Sequence, residues 1–171
     1  MRTIIFFSTL ILFICSNTSG QTNCNNVNQL NNEGKKVGLW IEDKDLTYVY
    51  YKNGLRNGLY IHYNQKNGKV HRIGEYREGL HTGKWFYFNE EGFLLFTEEN
   101  IKQNVNISRI RDDGVKIIPK YTSYVIDYYR NGVVKEEGQV LYSEDIQVDY
   151  YKTGIWKYYN EEGELIEEKQ H

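Results

Sequence analysis

The apolar residues of this chain fall in short aromatic-rich runs separated by Asn, Glu and Gly, with no sustained helical period and no helix caps. Trp85 to Phe88 and Trp156 to Tyr159 are the densest of these runs, and their aromatic side chains suit a pleated, half-buried surface. They predict strands. Asn89-Glu90-Glu91-Gly92 and Asn160-Glu161-Glu162-Gly163 predict four-residue hairpin connections, in which Asn accepts local backbone hydrogen bonds and Gly takes a positive φ. Lys52-Asn53-Gly54 and Arg130-Asn131-Gly132, each preceded by Tyr-Tyr, punctuate the chain in the same way. The only proline is Pro119, so little interrupts continuous sheet pairing. The expected class is all-β.

The runs repeat. A glycine, any residue and an aromatic open them at Gly58-Leu59-Tyr60, Gly83-Lys84-Trp85 and Gly154-Ile155-Trp156, with a fainter copy at Gly38-Leu39-Trp40. Asn67-Gly68-Lys69-Val70 aligns with Asn131-Gly132-Val133-Val134, and Gly74 aligns with Gly138. After an insertion of seven residues in the second copy, Thr82-Gly83-Lys84-Trp85 aligns with Thr153-Gly154-Ile155-Trp156 and the match runs on to Gly92 and Gly163. Repetition of a hairpin-sized unit builds an architecture that presents surface. The shared place of Trp40, Tyr60, Trp85 and Trp156 in the unit lines these four rings along one face. They form the main core stripe, with an exposed ladder for stacking on glycans as the alternative.

If four residues connect the strands, Phe88 lies opposite Phe93, and alternation puts Phe86, Phe88, Phe93 and Leu95 on one face and Trp85, Tyr87, Leu94 and Phe96 on the other. The later copy carries Lys157, Tyr159, Glu164 and Ile166 at the first set of positions, so the earlier hairpin alone is apolar on both sides. Phe86, Phe88, Phe93 and Leu95 are therefore the candidate interaction face. Either the unrepeated segment holding Val105, Ile107, Ile110, Val115, Ile117 and Ile118 folds over them, or a partner does.

Composition narrows the function. The chain has 171 residues, 16 of them tyrosine, and a net charge of −2 with no run of lysine and arginine that would recruit nucleic acid or anionic lipid. Nucleic acid is not expected as a partner, and peripheral membrane contact is weakly supported. His62, His71 and His81 recur at intervals of nine and ten without ligand spacing, Glu90-Glu91 and Glu161-Glu162 read as wet turn residues, and Ser108 and Ser143 have no visible base. No catalytic residue, metal or cofactor is expected, and the reading is of a non-enzyme. Asn106-Ile107-Ser108 fits a glycosylation sequon.

Met1-Arg2, the apolar run Thr3 to Ile14 and the small residues Thr18-Ser19-Gly20 predict a secretory signal peptide over 1–20, cleaved near Gly20, with lipidation at Cys15 as the competing outcome. Cleavage removes Arg2 and takes the net charge to −3. Cys24 is then the only thiol, in an Asn-rich stretch expected to be a flexible leader over 21–32, so no internal disulfide holds the fold. Residues 33–171 are expected as one domain with an irregular insertion at about 99–121.

Glu75-Tyr76-Arg77-Glu78-Gly79-Leu80-His81-Thr82-Gly83-Lys84-Trp85 and Tyr50-Tyr51-Lys52-Asn53-Gly54-Leu55-Arg56-Asn57-Gly58-Leu59-Tyr60 resemble the bacterial variant of the MORN repeat, over 33–98 and 128–168. The resemblance implies an elongated, twisted antiparallel sheet of consecutive β-hairpins acting as a scaffold or protein-binding module. Lipid binding and an antitoxin or immunity role are also implied by it, and the latter sits badly with a signal peptide. The expected setting is extracytoplasmic, periplasmic or secreted, and the expected partner another protein.

Overall fold

A computed structural model describes residues 26–111, 114–147 and 149–171; the signal-peptide, Cys15 and Cys24 readings lie outside them. Thirteen strands form: β1 (Gln29–Leu30), β2 (Lys36–Glu42), β3 (Thr47–Lys52), β4 (Leu55–Tyr63), β5 (Val70–Arg77), β6 (Leu80–Phe88), β7 (Leu94–Gln103), β8 (Arg109–Ile110), β9 (Lys116–Ile117), β10 (Tyr121–Tyr128), β11 (Val134–Tyr142), β12 (Tyr151–Tyr159) and β13 (Leu165–Gln170). Eleven make one open antiparallel sheet in chain order, with β10 following β7, while β8 and β9 pair with each other outside it. The chain is all-β, a series of consecutive hairpins. The Asn-rich stretch is not wholly a loose leader, because β1 pairs with β2 and the Asn28 side-chain oxygen accepts the Ile41 amide at 2.8 Å.

Register defines two faces. One row of paired residues runs Ile41, Tyr48, Ile61, Ile73, Phe86, Thr97, Ile126, Glu137, Lys157, Glu168, apolar over the first part of the sheet and charged at its end. This is the outer face. The inner face carries the core cluster, with Val49, Tyr60, Trp85, Val125, Val140 and Trp156 among its buried members. Trp85 pairs with Glu98, Glu98 with Val125 and Val125 with Gly138.

Two kinds of irregularity bend the strands, and both place side chains. In the first, Gly58, Gly83 and Gly154 sit at φ of 116°, 68° and 71°, and the pairing shifts around each of them. Asn100, at φ 57°, occupies the same place in β7, a copy of the unit that a search for glycine misses. In the second, the strand leaving a hairpin turn carries one extra residue: His71 after the four-residue turn closed by Asn64 and Lys69, and Leu95, Lys135 or Ile166 after a three-residue turn.

That second bulge corrects the expected faces. Asn89 N donates to Phe93 O, so three residues connect β6 and β7, and Phe88 pairs with Leu94 instead of Phe93. Leu95 becomes the extra residue and lies with Phe96, Val125, Ile146 and Tyr150 on the inner side, while Leu94 joins Phe86 and Phe88 outside. Phe93 sits at the hairpin tip, its ring 4.6 Å from the Arg130 guanidinium carbon.

The covering idea also fails. The sheet runs unbroken from β7 to β10, with Gln103 paired to Tyr121, so the irregular insertion shrinks to 104–120. The described residues of that segment form a finger, in which β8 pairs with β9, Val105, Ile107, Ile110, Val115 and Ile118 are exposed by 38 to 75%, and Arg109 reaches Lys152 O on β12. It covers neither Phe86 nor Phe93. Cover for the inner face comes instead from Ile146, in the connection between β11 and β12, which belongs to the core cluster.

Gly74 and Gly138, aligned in the sequence, lie directly beneath Trp85 and Trp156: a Cβ there would stand 2.2 Å and 2.5 Å from the indole carbons. We predict that Gly74→Ala destabilises the protein by about 3 kcal/mol or more, since the buried ring has nowhere to move. Gly83→Ala meets no atom within 4 Å and bears only the left-handed backbone penalty of about 1 to 2 kcal/mol. Urea denaturation midpoints of the two variants check the order.

Candidate functional site

The left-handed bulge does more than bend a strand. It brings the residue four positions before each ring onto that ring. Lys36 Nζ lies 4.2 Å from the Trp40 centroid, the Arg56 guanidinium carbon 5.7 Å from Tyr60, and Lys152 Nζ 4.1 Å from Trp156. In the remaining copy the His81 ring lies 4.1 Å from Trp85, tilted by 34°. The repeated word is thus five residues long, a cation or imidazole, any residue, Gly, any residue and a ring, of which the sequence reading recognised only the last three. Its first position was visible at Lys36, Arg56, His81 and Lys152.

Each cation is tied down by acceptors on its own strand or on a neighbouring one. Glu42 takes a hydrogen bond from Lys36 and holds its ammonium above the ordinary value. At Lys152 burial opposes the charge, and the hydrogen bonds to Glu136 and the Tyr158 hydroxyl outweigh it. Arg56 donates to the Tyr51 and Tyr76 hydroxyls at 3.4 and 3.2 Å, which keeps it charged despite burial. The result is a zipper of cations and rings on the inner face, over β2, β4 and β6 and again at β12.

At its middle the zipper closes on a buried polar knot. Arg72 is enclosed by Tyr60, Trp85 and Tyr87, with its guanidinium carbon 5.4 to 5.9 Å from the three rings. It donates to the Tyr60 hydroxyl at 3.3 Å and to Asp145 at 2.9 Å. Asp145 comes from the connection after β11, four strands away from β5 in the sheet, so a residue of the second copy's insertion bridges the inner face. Beside the knot, Glu98 is fully buried under Trp85 and accepts the Tyr87 hydroxyl at 2.9 Å. Burial raises its carboxyl above the ordinary range, against the lowering by the Tyr142, Ser123 and Tyr87 hydroxyls. Asp127 is likewise raised, by burial and by Glu136 opposite it.

The predicted ring stripe sits on this inner face: Trp85 and Trp156 are 0% exposed, Tyr60 is 4% exposed and Trp40 is half-buried at the end. Trp85 and Trp156 offer no ring face to a sugar. Of the predicted interaction face, Phe86 and Phe88 lie together on the outer side, lining an open groove with Leu59 and Ile73, while Leu95 and Phe93 go elsewhere. His62 and His71 meet at 5.9 Å and His81 stands apart from them; among the described residues no three His, Cys, Asp or Glu converge as a metal site would need. Several polar groups of the inner face bind one another, while Arg72 Nε, Trp85 Nε1, Glu98 Oε1 and Ser123 Oγ are buried without a hydrogen-bond partner among the described residues.

Two outcomes test the zipper. His81 is pushed down from 6.5 to about 4, by burial and then by the Arg72 charge. A group with a depressed folded pKa takes up its proton first in the unfolded chain, so its effect is absent above about pH 6.5 and destabilises progressively as pH falls towards 4. Asp127, raised in the fold, works in the opposite sense and is common to both proteins compared. His81→Phe therefore gains stability relative to the parent across that window, read as denaturation midpoints at several pH values. For the knot, Asp145→Ala strips Arg72 of its anion and is expected to cost about 2 kcal/mol, below a fully buried pair because Asp145 is partly exposed. Adding Arg72→Met recovers part of that loss in a double-mutant cycle. Comparison of the chain with protein-family models, with curated proteins and with solved structures gave no match.

Proposed function

We propose that this protein is a non-catalytic interaction module, a MORN-like hairpin repeat that presents its outer sheet face to another protein outside the cytoplasm. The observation that carries the reading is the outer row Ile41, Tyr48, Ile61, Ile73 and Phe86, extended by Phe88 and Leu94 and continued through the buried Thr97 to Ile126: neighbouring side chains on successive strands, with a broad open groove lined by Leu59, Ile73, Phe86 and Phe88 together with Glu75 and Lys84. An antiparallel sheet tolerates one wet face when that face is polar. Here the row is apolar from β2 to β6, with Glu75 and Lys84 among the groove's lining residues and Lys84 ion-paired to Glu99, and it is charged at Glu137, Lys157 and Glu168.

A protein partner is favoured over a glycan because the rings that would stack on sugars are sealed against glycines and cations on the other side. The setting rests on the N-terminal segment, Met1 to Gly20, read as a secretory signal.

Affinity capture of the mature protein from its native envelope, with mass spectrometry, tests the reading when paired with Phe86→Glu and Phe88→Glu. The parent recovers a protein that both variants lose, while their circular dichroism and denaturation midpoints stay near the parent's. Recovery that is unchanged in both variants would remove the outer face from the function.

A further inference from the structure

We infer that the protein self-associates, with the 104–120 finger of one copy docked on the acidic β13 edge of a second copy and the reverse contact made at the same time. This surface is separate from the outer face of β2 to β7 and does not depend on it.

The finger inverts the usual partition of residues. Its base is the polar and enclosed part: Asn104 N donates to Lys120 O at 2.9 Å, the Asn104 amide reaches Ile107 O and Pro119 O, and Pro119 is buried. Its projecting part is apolar, with Val105, Ile110, Val115 and Ile118 exposed. Arg109, Arg111, Lys116 and Lys120 against Asp112 and Asp113 give residues 104–120 a net charge of +2, in a chain whose total is −2. An apolar, cationic projection calls for an apolar, anionic partner surface.

Such a surface is present on the same chain. β13 is exposed along its whole length and, among the described residues, pairs on one side only, with β12. Leu165 and Ile166 are exposed on it, as is Ile155 on β12, and Glu161, Glu162, Glu164, Glu167 and Glu168 against Lys169 give residues 160–171 a net charge of −4. Other ways for copies to meet at this edge are disfavoured. Pairing of β13 with itself sets Glu167 and Glu168 against like charges. Head-to-tail extension of the sheet meets an opposite edge already occupied by β1, by the Asn28 hydrogen bonds and by the Val27 to Leu39 bridge.

The two surfaces are neighbours. The Arg109 guanidinium lies 4.6 Å from the Tyr151 ring of β12, and β12 is the strand that pairs with β13. Surfaces side by side on one molecule can meet their complements on a second across a single twofold axis, which closes the assembly at two copies.

Sedimentation velocity of the mature full chain tests this at several concentrations and salt levels. The parent is expected to be a dimer at low salt that weakens as salt rises. Lys116→Glu with Lys120→Glu in the finger, or Glu167→Lys with Glu168→Lys on β13, should each weaken dimerisation by about tenfold or more. Mixing the two variants should restore it, because each finger then meets an edge of opposite charge. All these positions are exposed, and circular dichroism confirms that the variants fold. A parent that stays monomeric at low salt, variants that dimerise as well as the parent, or a mixture that fails to recover would each overturn the proposal. Binding of the monomer to anionic phosphatidylserine vesicles, lost with the finger substitutions and indifferent to those on β13, would overturn it in favour of a lipid surface.

Discussion

One backbone conformation organises the sheet. A residue in the left-handed region interrupts β4, β6, β7 and β12, and the ring two positions later turns inward at β4, β6 and β12 while the side chain two positions earlier folds onto it. Without that bulge a strand would hold residues four apart on the same face yet well separated along it. With it, a charged or imidazole group lies on an aromatic face, and acceptors such as Glu42 on the same strand and Glu136 on the adjoining one complete its hydrogen bonds. Side chains that would ordinarily be kept wet become part of the core, and a chain so rich in tyrosine and charge can form a sealed interior with few aliphatic residues.

The interior so formed depends on size matching as closely as an aliphatic core does. Trp85 and Trp156 lie flat over backbone because their cross-strand neighbours Gly74 and Gly138 have no side chain. Glu98 is tolerated beneath Trp85 because Tyr87 donates to it and because burial favours its neutral form. A sheet of consecutive hairpins has contacts only between adjacent strands, and for such arrays stability is close to a sum of local terms. The Arg72 to Asp145 bond departs from that scheme by tying β5 to the loop after β11.

The hairpins and the shared position of the rings were legible because both depend on local rules, turn chemistry and aromatic spacing. The seven inserted residues were visible too, as a break in register between Gly138 and Thr153. Their role was not, because nothing local says that Asp145 will meet Arg72 across four strands. Leu95 was misplaced for a smaller reason: a three-residue turn followed by one extra residue and a four-residue turn without one leave the same spacing in the sequence, yet put Leu95 on opposite faces. Asn100 escaped notice because the backbone demand there is met by asparagine, one of the non-glycine residues that tolerate the left-handed region.

The pairing of Gln103 with Tyr121 closes the sheet beneath the finger, so the ladder does not register what lies between them. Lengthening such a closed loop adds only slowly to its entropic penalty. The finger is thus an appendage that can be exchanged, shortened or diversified while the frame stays constant, and chains sharing this frame could differ in what they recognise through 104–120 alone.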